Sequence, residues 1–142
     1  MIVSQILKEK GSEVMIARPD MSLLEVARLL REKNIGAVLI MQGKGIRGIL
    51  SERDIVRALA AHGEEGLRKT AQACMTENVV TCRPGDGIDH LMQVMTSGRF
   101  RHMPVLEDGR LVGLISIGDV VKRRIEEIER ESEQIREYIA TA

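Results

Sequence analysis

The chain has 142 residues, of which 44% are hydrophobic and 30% are charged, a composition typical of a folded soluble protein rather than a disordered one. Basic and acidic residues number 21 each, and the formal net charge of zero argues against a broad basic surface for nucleic acid or for anionic membrane. With one phenylalanine and one tyrosine, the chain also has almost no aromatic side chains for stacking single-stranded bases.

The cysteine and histidine content predicts neither a disulfide framework nor a metal or catalytic centre. Cys74 and Cys82 are too few for such a framework and suit a reducing compartment, so we expect a cytoplasmic protein. The three histidines are scattered, without the spacing of a metal site or of a Cys–His or Ser–His–Asp group. No apolar stretch approaches the roughly 20 residues of a membrane-spanning helix, and the N-terminal MIVSQILKEKG does not resemble a signal peptide. We therefore expect a protein that is not an enzyme and that does not act at a membrane.

The sequence contains an internal repeat at an offset of 65 residues, which aligns residues 14–56 with residues 79–121 without a gap. GILSERDIV at 48–56 corresponds to GLISIGDVV at 113–121, with Gly, Ser, Asp and Val at the same positions in both. A repeat of this length exceeds a solenoid unit and predicts two copies of one small domain.

Each copy is predicted to contain the same elements in the same order. A short strand, EVMIA or NVVTC, is followed by a helix with apolar residues at helical spacing, SLLEVARLLREK or GIDHLMQVMTSG. Two strands joined by a glycine-containing turn come next, and a second helix begins just after Ser51 or Ser116. The predicted fold class is therefore mixed α/β (α+β), with two β-α-β-β-α units. Because one face of so small a sheet stays bare unless a second copy covers it, we expect the units to be related by pseudo-twofold symmetry.

The regions outside the repeat are predicted to be a linker and a long C-terminal helix. HGEEGLRKTAQ at 62–72 is polar and contains glycines, as is typical of a domain boundary. The C-terminal segment carries a heptad seam: Val121, Ile125, Ile128, Ser132, Ile135 and Ile139. The seam favours contact with a partner helix over packing on its own domain, so we expect a homodimer. The predicted organisation is a first domain at 1–62, a linker at 63–72, a second domain at 73–125 and a helical extension at 126–142.

The repeated Ser-x-x-Asp has two interpretations. A serine at a helix start with an acid three residues later is a capping box, and it would satisfy Ser51–Asp54 and Ser116–Asp119 without any ligand. Alternatively, a helix N-terminus that directly follows a strand gathers N–H donors and the positive end of the dipole, which suits phosphate. A short carboxylate there can accept hydrogen bonds from a ribose diol, as acids do in dinucleotide sites.

Basic residues near both motifs favour the second interpretation. Arg53 lies inside the first motif, and Arg101 and His102 precede the strand MPVLE of the second copy. Capping does not need these groups, whereas a phosphate does. If the capping interpretation alone holds, the protein is a ligand-independent scaffold for dimerisation or protein interaction.

RHMPVLEDGRLVGLISIGDVV at 101–121 resembles a cystathionine-β-synthase (CBS) domain, and GAVLIMQGKGIRGILSERDIV at 36–56 resembles its partner. The resemblance covers residues 1 to about 125, and the tail helix is similar to that of small stand-alone CBS-pair proteins. It implies paired β-α-β-β-α units that bind adenosine ligands in two clefts between the copies. The implied ligand is AMP first, or else ATP, ADP, NAD or S-adenosylmethionine. The implied function is regulatory, with energy or redox state reported through domain or dimer orientation to an effector protein that the sequence does not identify.

The resemblance also implies roles for individual residues. Ser51 and Asp54 would hold phosphate and ribose in one cleft, and Ser116 and Asp119 would do so in the other. Residues at the positions of Arg101 and His102 often face phosphate in this family. Arg53 is included as a further basic group of the first site. The adenine would lie against Ile16, Ala37 and Val38, or against Val80, Thr81, Met103 and Pro104.

The two copies differ at positions that bear on this chemistry. The first copy has Gly36-Ala37 where the second has Arg101-His102, and the second has Gly118 in place of Arg53. We therefore expect the two clefts to be chemically unequal, with different ligands or with one cleft empty.

Overall fold

The elements follow the predicted order in the first repeat, whereas the predicted first strand of the second repeat, NVVTC, is reduced to a single bridge at Cys82. The helical segments at 3–10, 63–68 and 71–74 are additional to the predicted elements. A computed structural model describes residues 1–141, so that only the last residue of the predicted 126–142 extension lies outside it. In chain order the elements are α1 (Val3–Lys10), β1 (Ile16–Ala17), α2 (Leu23–Lys33), β2 (Ala37–Gln42), β3 (Gly45–Ser51), α3 (Glu52–His62), a 3₁₀ helix (Gly63–Arg68), α4 (Ala71–Cys74), α5 (Ile88–Gly98), β4 (His102–Glu107), β5 (Arg110–Ser116) and α6 (Ile117–Thr141). The predicted mixed α+β class and the long C-terminal helix are confirmed.

The chain folds into two compact units, which we call the central and the terminal unit. The central unit is Val14–Val80, and the terminal unit combines Met1–Glu13 with the chain from Thr81 onward. The first thirteen residues therefore lie with the second repeat rather than with the first. The domain boundaries at 1–62, 63–72 and 73–125 stay predictions of where each repeat begins and ends.

The strand pairing of the two units follows the 65-residue offset. In the central unit β2 pairs with β3 in antiparallel register, with Ala37 opposite Ser51 and a bulge after Ile40. In the terminal unit β4 and β5 pair in the same way, with His102 opposite Ser116 and a bulge after Val105. β1 runs parallel to β2, whereas its counterpart in the second repeat is a single parallel bridge from Cys82 to Val105.

The repeated glycine of the motif is explained by packing. A Cβ atom on Gly48 would lie 2.6 Å from the sulfur of Met75 and 2.8 Å from the carbonyl oxygen of Thr76. A Cβ atom on Gly113 would lie 2.5 Å from a methyl carbon of Leu7. In each unit a side chain from outside the β-hairpin packs directly onto the strand at this position, so that no larger residue fits without displacement.

The segment predicted as a linker is folded within the central unit. Gly63–Arg68 forms the 3₁₀ helix, and a Cβ atom on Gly66 would meet the carbonyl oxygen of Ala58 at 2.7 Å. The polar composition of 62–72 therefore reflects an exposed outer face of a packed segment. None of the helices within residues 1–141 combines the length and apolar content needed to cross a membrane.

Candidate functional site

In the central unit, the Ser-x-x-Asp motif caps α3. The backbone N–H and the hydroxyl of Ser51 donate to Asp54 Oδ2 at 2.9 and 3.2 Å. The hydroxyl of Thr76 donates to Asp54 Oδ1 at 3.2 Å, and the carboxylate is only 7% exposed. The predicted capping box is therefore present, and it shields Asp54 from water.

The terminal unit repeats this cap at the start of α6. The backbone N–H and the hydroxyl of Ser116 both donate to Asp119 Oδ2 at 2.9 Å, and the N–H of Asp119 donates back to Ser116 Oγ at 3.2 Å. Asp119 is more exposed than Asp54, with 24% of its side chain accessible. A ligand therefore has better access to the second carboxylate than to the first.

Lys10 supplies a cation to this second motif from 109 residues away in the chain. Its Nζ donates to Asp119 Oδ2 at 2.6 Å and to the carbonyl oxygen of Leu114 at 2.7 Å. Burial alone would raise the pKa of Asp119, but hydrogen bonds from Lys10 and Ser116 outweigh it and hold this pKa below its ordinary value of 3.8. Asp119 is therefore ionised at neutral pH, with an ammonium group in direct contact.

His102 lies beside this ion pair but carries no charge at neutral pH. It is paired with Ser116 across the hairpin. Burial, and next the positive charge of Lys10, lower the pKa of His102 below 6.5, although Asp119 opposes the shift. The positive charge in contact with Asp119 therefore comes from Lys10. Arg101 is exposed, and its backbone carbonyl oxygen accepts a hydrogen bond from the N–H of Ile117 at the start of α6.

The predicted phosphate and ribose residues of each repeat lie together at the start of a helix. In the terminal unit these are Arg101, His102, Ser116 and Asp119. In the central unit Ser51 and Asp54 form the cap, and Arg53 is exposed on the first turn of α3. The carboxylates of the two sites have different partners: Asp54 accepts a hydrogen bond from neutral Thr76 and has the Arg57 guanidinium at 3.9 Å, whereas Asp119 is in direct contact with the ammonium group of Lys10 at 2.6 Å.

The residues predicted to contact adenine fall into an exposed and a buried group. Ile16, Val80 and Thr81 are exposed, and Thr81 lines a surface depression together with Arg83, Glu107 and Asp108. The residues of the second group are buried, with Val38 in the core cluster of the central unit and Met103 in that of the terminal unit. The buried group is Ala37, Val38, Met103 and Pro104.

Lys10 and Thr76 contact the two carboxylates but were not identified from the sequence. Both lie outside the motifs themselves, in the segments that precede each repeat's first strand. The only signal was the shared apolar pattern of VSQIL and AQACM, whose last residues, Leu7 and Met75, pack on the two motif glycines. That pattern locates the segments but does not indicate which polar side chain reaches the carboxylate.

A family model for the CBS domain matches the chain twice, at residues 3–61 and 71–126. The chain belongs to the CBS-domain family. Both matches begin in the segments that deliver Lys10 and Thr76, which makes these segments part of the CBS repeat rather than additions to it.

Solved structures support the same assignment. A CBS-domain containing protein, ATU1752 from Agrobacterium tumefaciens, is 46% identical with a TM-score of 0.86, covering 87% of this chain and 99% of that one. The CBS domain pair of protein MJ0100, solved in complex with 5′-methylthioadenosine and S-adenosyl-L-methionine, is 27% identical with a TM-score of 0.79, over 89% and 98% of the two chains. The CBS domain-containing protein CBSX3 of Arabidopsis thaliana, described as mitochondrial, is 28% identical over 96% of this chain and 71% of its own. A CBS pair similar to this chain therefore binds adenosine compounds.

Proposed function

We propose that the protein is a regulatory module that binds an adenosine-containing ligand, AMP first, with the start of α6 as its principal contact. The observation that carries the proposal is the contact between Asp119 and Lys10: a carboxylate suited to a ribose diol lies beside an ammonium group suited to a phosphate. Arg101 is a second basic residue, and its charge acts on the neighbouring His102. The adenosine compounds bound by the related MJ0100 pair support the ligand class.

Lys10 gives this site a preference for anionic ligands. Without ligand, its ammonium group is held by Asp119 and Leu114. Ribose hydroxyls that bind Asp119 compete with Lys10 for the carboxylate. A ligand phosphate then gives the displaced ammonium group a new anionic partner. A neutral nucleoside offers no such replacement, because the ammonium would lose its carboxylate partner without gaining another anion. We therefore expect AMP to bind more tightly than adenosine.

The site at Asp54 is expected to differ in affinity and in ligand. Its carboxylate is nearly buried, and Thr76 occupies Oδ1 as a neutral donor. The predicted phosphate contacts of this site are Arg53 and the start of α3. We propose that this site, with Ser51, Arg53 and Asp54, is the weaker of the two or takes a different adenosine ligand, such as ATP, ADP, NAD or S-adenosylmethionine.

The proposed output is a change in domain or dimer orientation that an effector protein recognises in the cytoplasm. A ligand shifts such an equilibrium only by its differential affinity for the two states. No enzymatic step is part of this proposal. The capping contacts satisfy both Ser–Asp pairs without ligand, which keeps a ligand-independent dimerisation scaffold as the second candidate.

A thermal-shift screen tests the proposal. AMP, ADP, ATP, NAD, NADH, S-adenosylmethionine and adenosine are compared with guanosine and pyrimidine nucleotides, with an external dye because the chain contains no tryptophan. A ligand at 100 times its dissociation constant stabilises the fold by about 2.7 kcal/mol. Selective stabilisation by adenosine compounds, with AMP above adenosine, is the expected result. The absence of any adenosine-dependent shift would favour the scaffold.

A further inference from the structure

The C-terminal helix exposes a continuous apolar seam. α6 buries only Val120 and Arg123 among the residues that the structure describes in it. The apolar residues of its seam are exposed to solvent, with between 40% and 69% of each residue accessible: Val121, Ile125, Ile128, Ile135 and Ile139. They recur at intervals of four and three residues and, at 1.5 Å per residue, extend for about 27 Å. A continuous exposed apolar stripe of this length is typical of a surface that binds another protein chain.

The charges that flank the seam identify that partner. In a parallel, in-register pair of helices, the residue just before every second seam position faces the residue five positions later on the other helix. In α6 these seam positions are Ile125 and Ser132. Arg124 would then face Glu129 of the second copy, and Glu131 would face Arg136 of the second copy. By the twofold symmetry of such a pair, this gives four contacts between opposite charges and none between like charges.

Antiparallel arrangements fit the same charges less well. Overlap of the whole seam in antiparallel orientation places Glu129 against Glu129 and Lys122 against Arg136 of the second copy, which are like-charge contacts. A register shifted by one heptad pairs Glu129 with Arg136 but leaves Val121 and Ile125 uncovered. Only the parallel arrangement covers the seam and matches its charges.

We propose that α6 pairs with α6 of a second copy of this chain as a parallel, in-register two-stranded coiled coil. Ser132, the one polar residue of the seam, then faces its own counterpart and fixes the register, as polar residues at such positions do. This pairing is independent of the proposed ligand site, because it uses none of the residues assigned to ligand binding. Its failure and the failure of ligand binding are therefore separate results.

A charge-swap experiment in the full-length chain distinguishes the orientations. Glu131 and Arg136 are suited to it because both are exposed, whereas Arg124 already pairs with Glu127 within its own helix. Glu131→Arg converts two attractive contacts into two repulsive ones and is expected to weaken the dimer about tenfold in sedimentation equilibrium. Arg136→Glu is expected to do the same, and the double variant should restore the dimer. A wild-type monomer at all concentrations, or a double variant that is not restored, would overturn the proposal.

A cysteine cross-link gives a second and independent readout. Ser132→Cys places two thiols opposite one another only in the parallel, in-register pair, within the separation that a disulfide needs. Glu133→Cys, one residue away and off the seam, is the matched control. Cys74 is replaced by alanine in both variants, while Cys82 is kept, because burial raises its pKa to about 12 and leaves it almost entirely as the unreactive thiol. A covalent dimer of the Ser132→Cys variant alone is expected on mild oxidation. Equal cross-linking of both variants, or none in the first, would contradict the proposal.

Discussion

Replacing Lys10 by methionine removes the cation from Asp119 while keeping most of the side chain's volume. The ammonium group donates at 2.6 Å to the carboxylate and at 2.7 Å to the carbonyl oxygen of Leu114. A hydrogen bond to a charged group contributes about 1.5–3 kcal/mol, but water replaces part of it at a side chain that is 34% exposed. We therefore expect the free energy of unfolding to fall by about 1 kcal/mol at neutral pH, and the Tm by about 3–5 °C in a protein of this size.

The effect of Lys10→Met is expected to depend on pH in a defined direction. The folded-state pKa of Asp119 lies below its ordinary value of 3.8, so its contribution to stability is complete above that value and is lost as pH falls through the folded-state pKa. Once Asp119 is protonated, Lys10 has no charge to pair with. The difference between the wild-type protein and the variant should therefore shrink toward acid pH.

Urea denaturation of the wild type and of the variant, at neutral pH and at about pH 3, measures both expectations. Lys8→Met is the matched control, because Lys8 lies on the same helix and is exposed. A variant as stable as the control at neutral pH would refute the energetic role of the ion pair. A destabilisation of equal size at both pH values would show that the loss arises from packing rather than from Asp119.

Three further predictions concern the motif glycines, the carboxylates and the tail. Gly48→Ala should destabilise the fold by about 1–3 kcal/mol and by more than Gly113→Ala, because the added methyl meets a backbone oxygen at the first site and only a leucine side chain at the second, a difference that thermal unfolding measures. Asp119→Ala should weaken AMP binding by about 1.5–3 kcal/mol in calorimetry. Asp54→Ala should lower stability as well, because it leaves Thr76 and the start of α3 without a buried acceptor. Unchanged affinity in both folded aspartate variants would refute the ribose role. Deletion of residues 126–142 should dissociate the dimer in sedimentation experiments, and an unchanged dimer would exclude the tail from the interface.

The sequence predicted those parts of the fold that are local or repeated. In the strand pairs and at the ends of two helices, residues 65 positions apart have the same local structure in the two copies. The strand pairs share one register and have bulges after Ile40 and Val105, and α2 and α5 each end at a residue in the left-handed conformation, Asn34 and Arg99. Each of these depends on a few neighbouring residues, and each copy therefore reproduces it. The 3₁₀ helix was missed because its polar composition is also that of a linker, and its packing depends on the close approach of Gly66 to α3.

The partners of the two carboxylates were not predictable by the same means. The gapless alignment of the repeats begins at Val14 and Val79, whereas Lys10 and Thr76 lie just before those positions and have no common residue type. The contact between Lys10 and Asp119 spans 109 residues, and no local pattern specifies it. Only the association of the first thirteen residues with the second repeat brings this ammonium to the motif.

The recurrence of Gly, Ser and Asp in GILSERDIV and GLISIGDVV is explained by packing and capping within each unit, before any ligand is considered. The glycines admit Met75 and Leu7, and the Ser–Asp pairs cap α3 and α6. The repeated valine is exposed in both units, and nothing within a unit requires it. Within the motif, the chemical difference is Arg53 in the first copy against Gly118 in the second, and further differences come from outside it. The preceding segments place a hydroxyl at one carboxylate and an ammonium group at the other. Exchanging these two side chains is therefore expected to change the ligand preferences of both sites without any change in the motif.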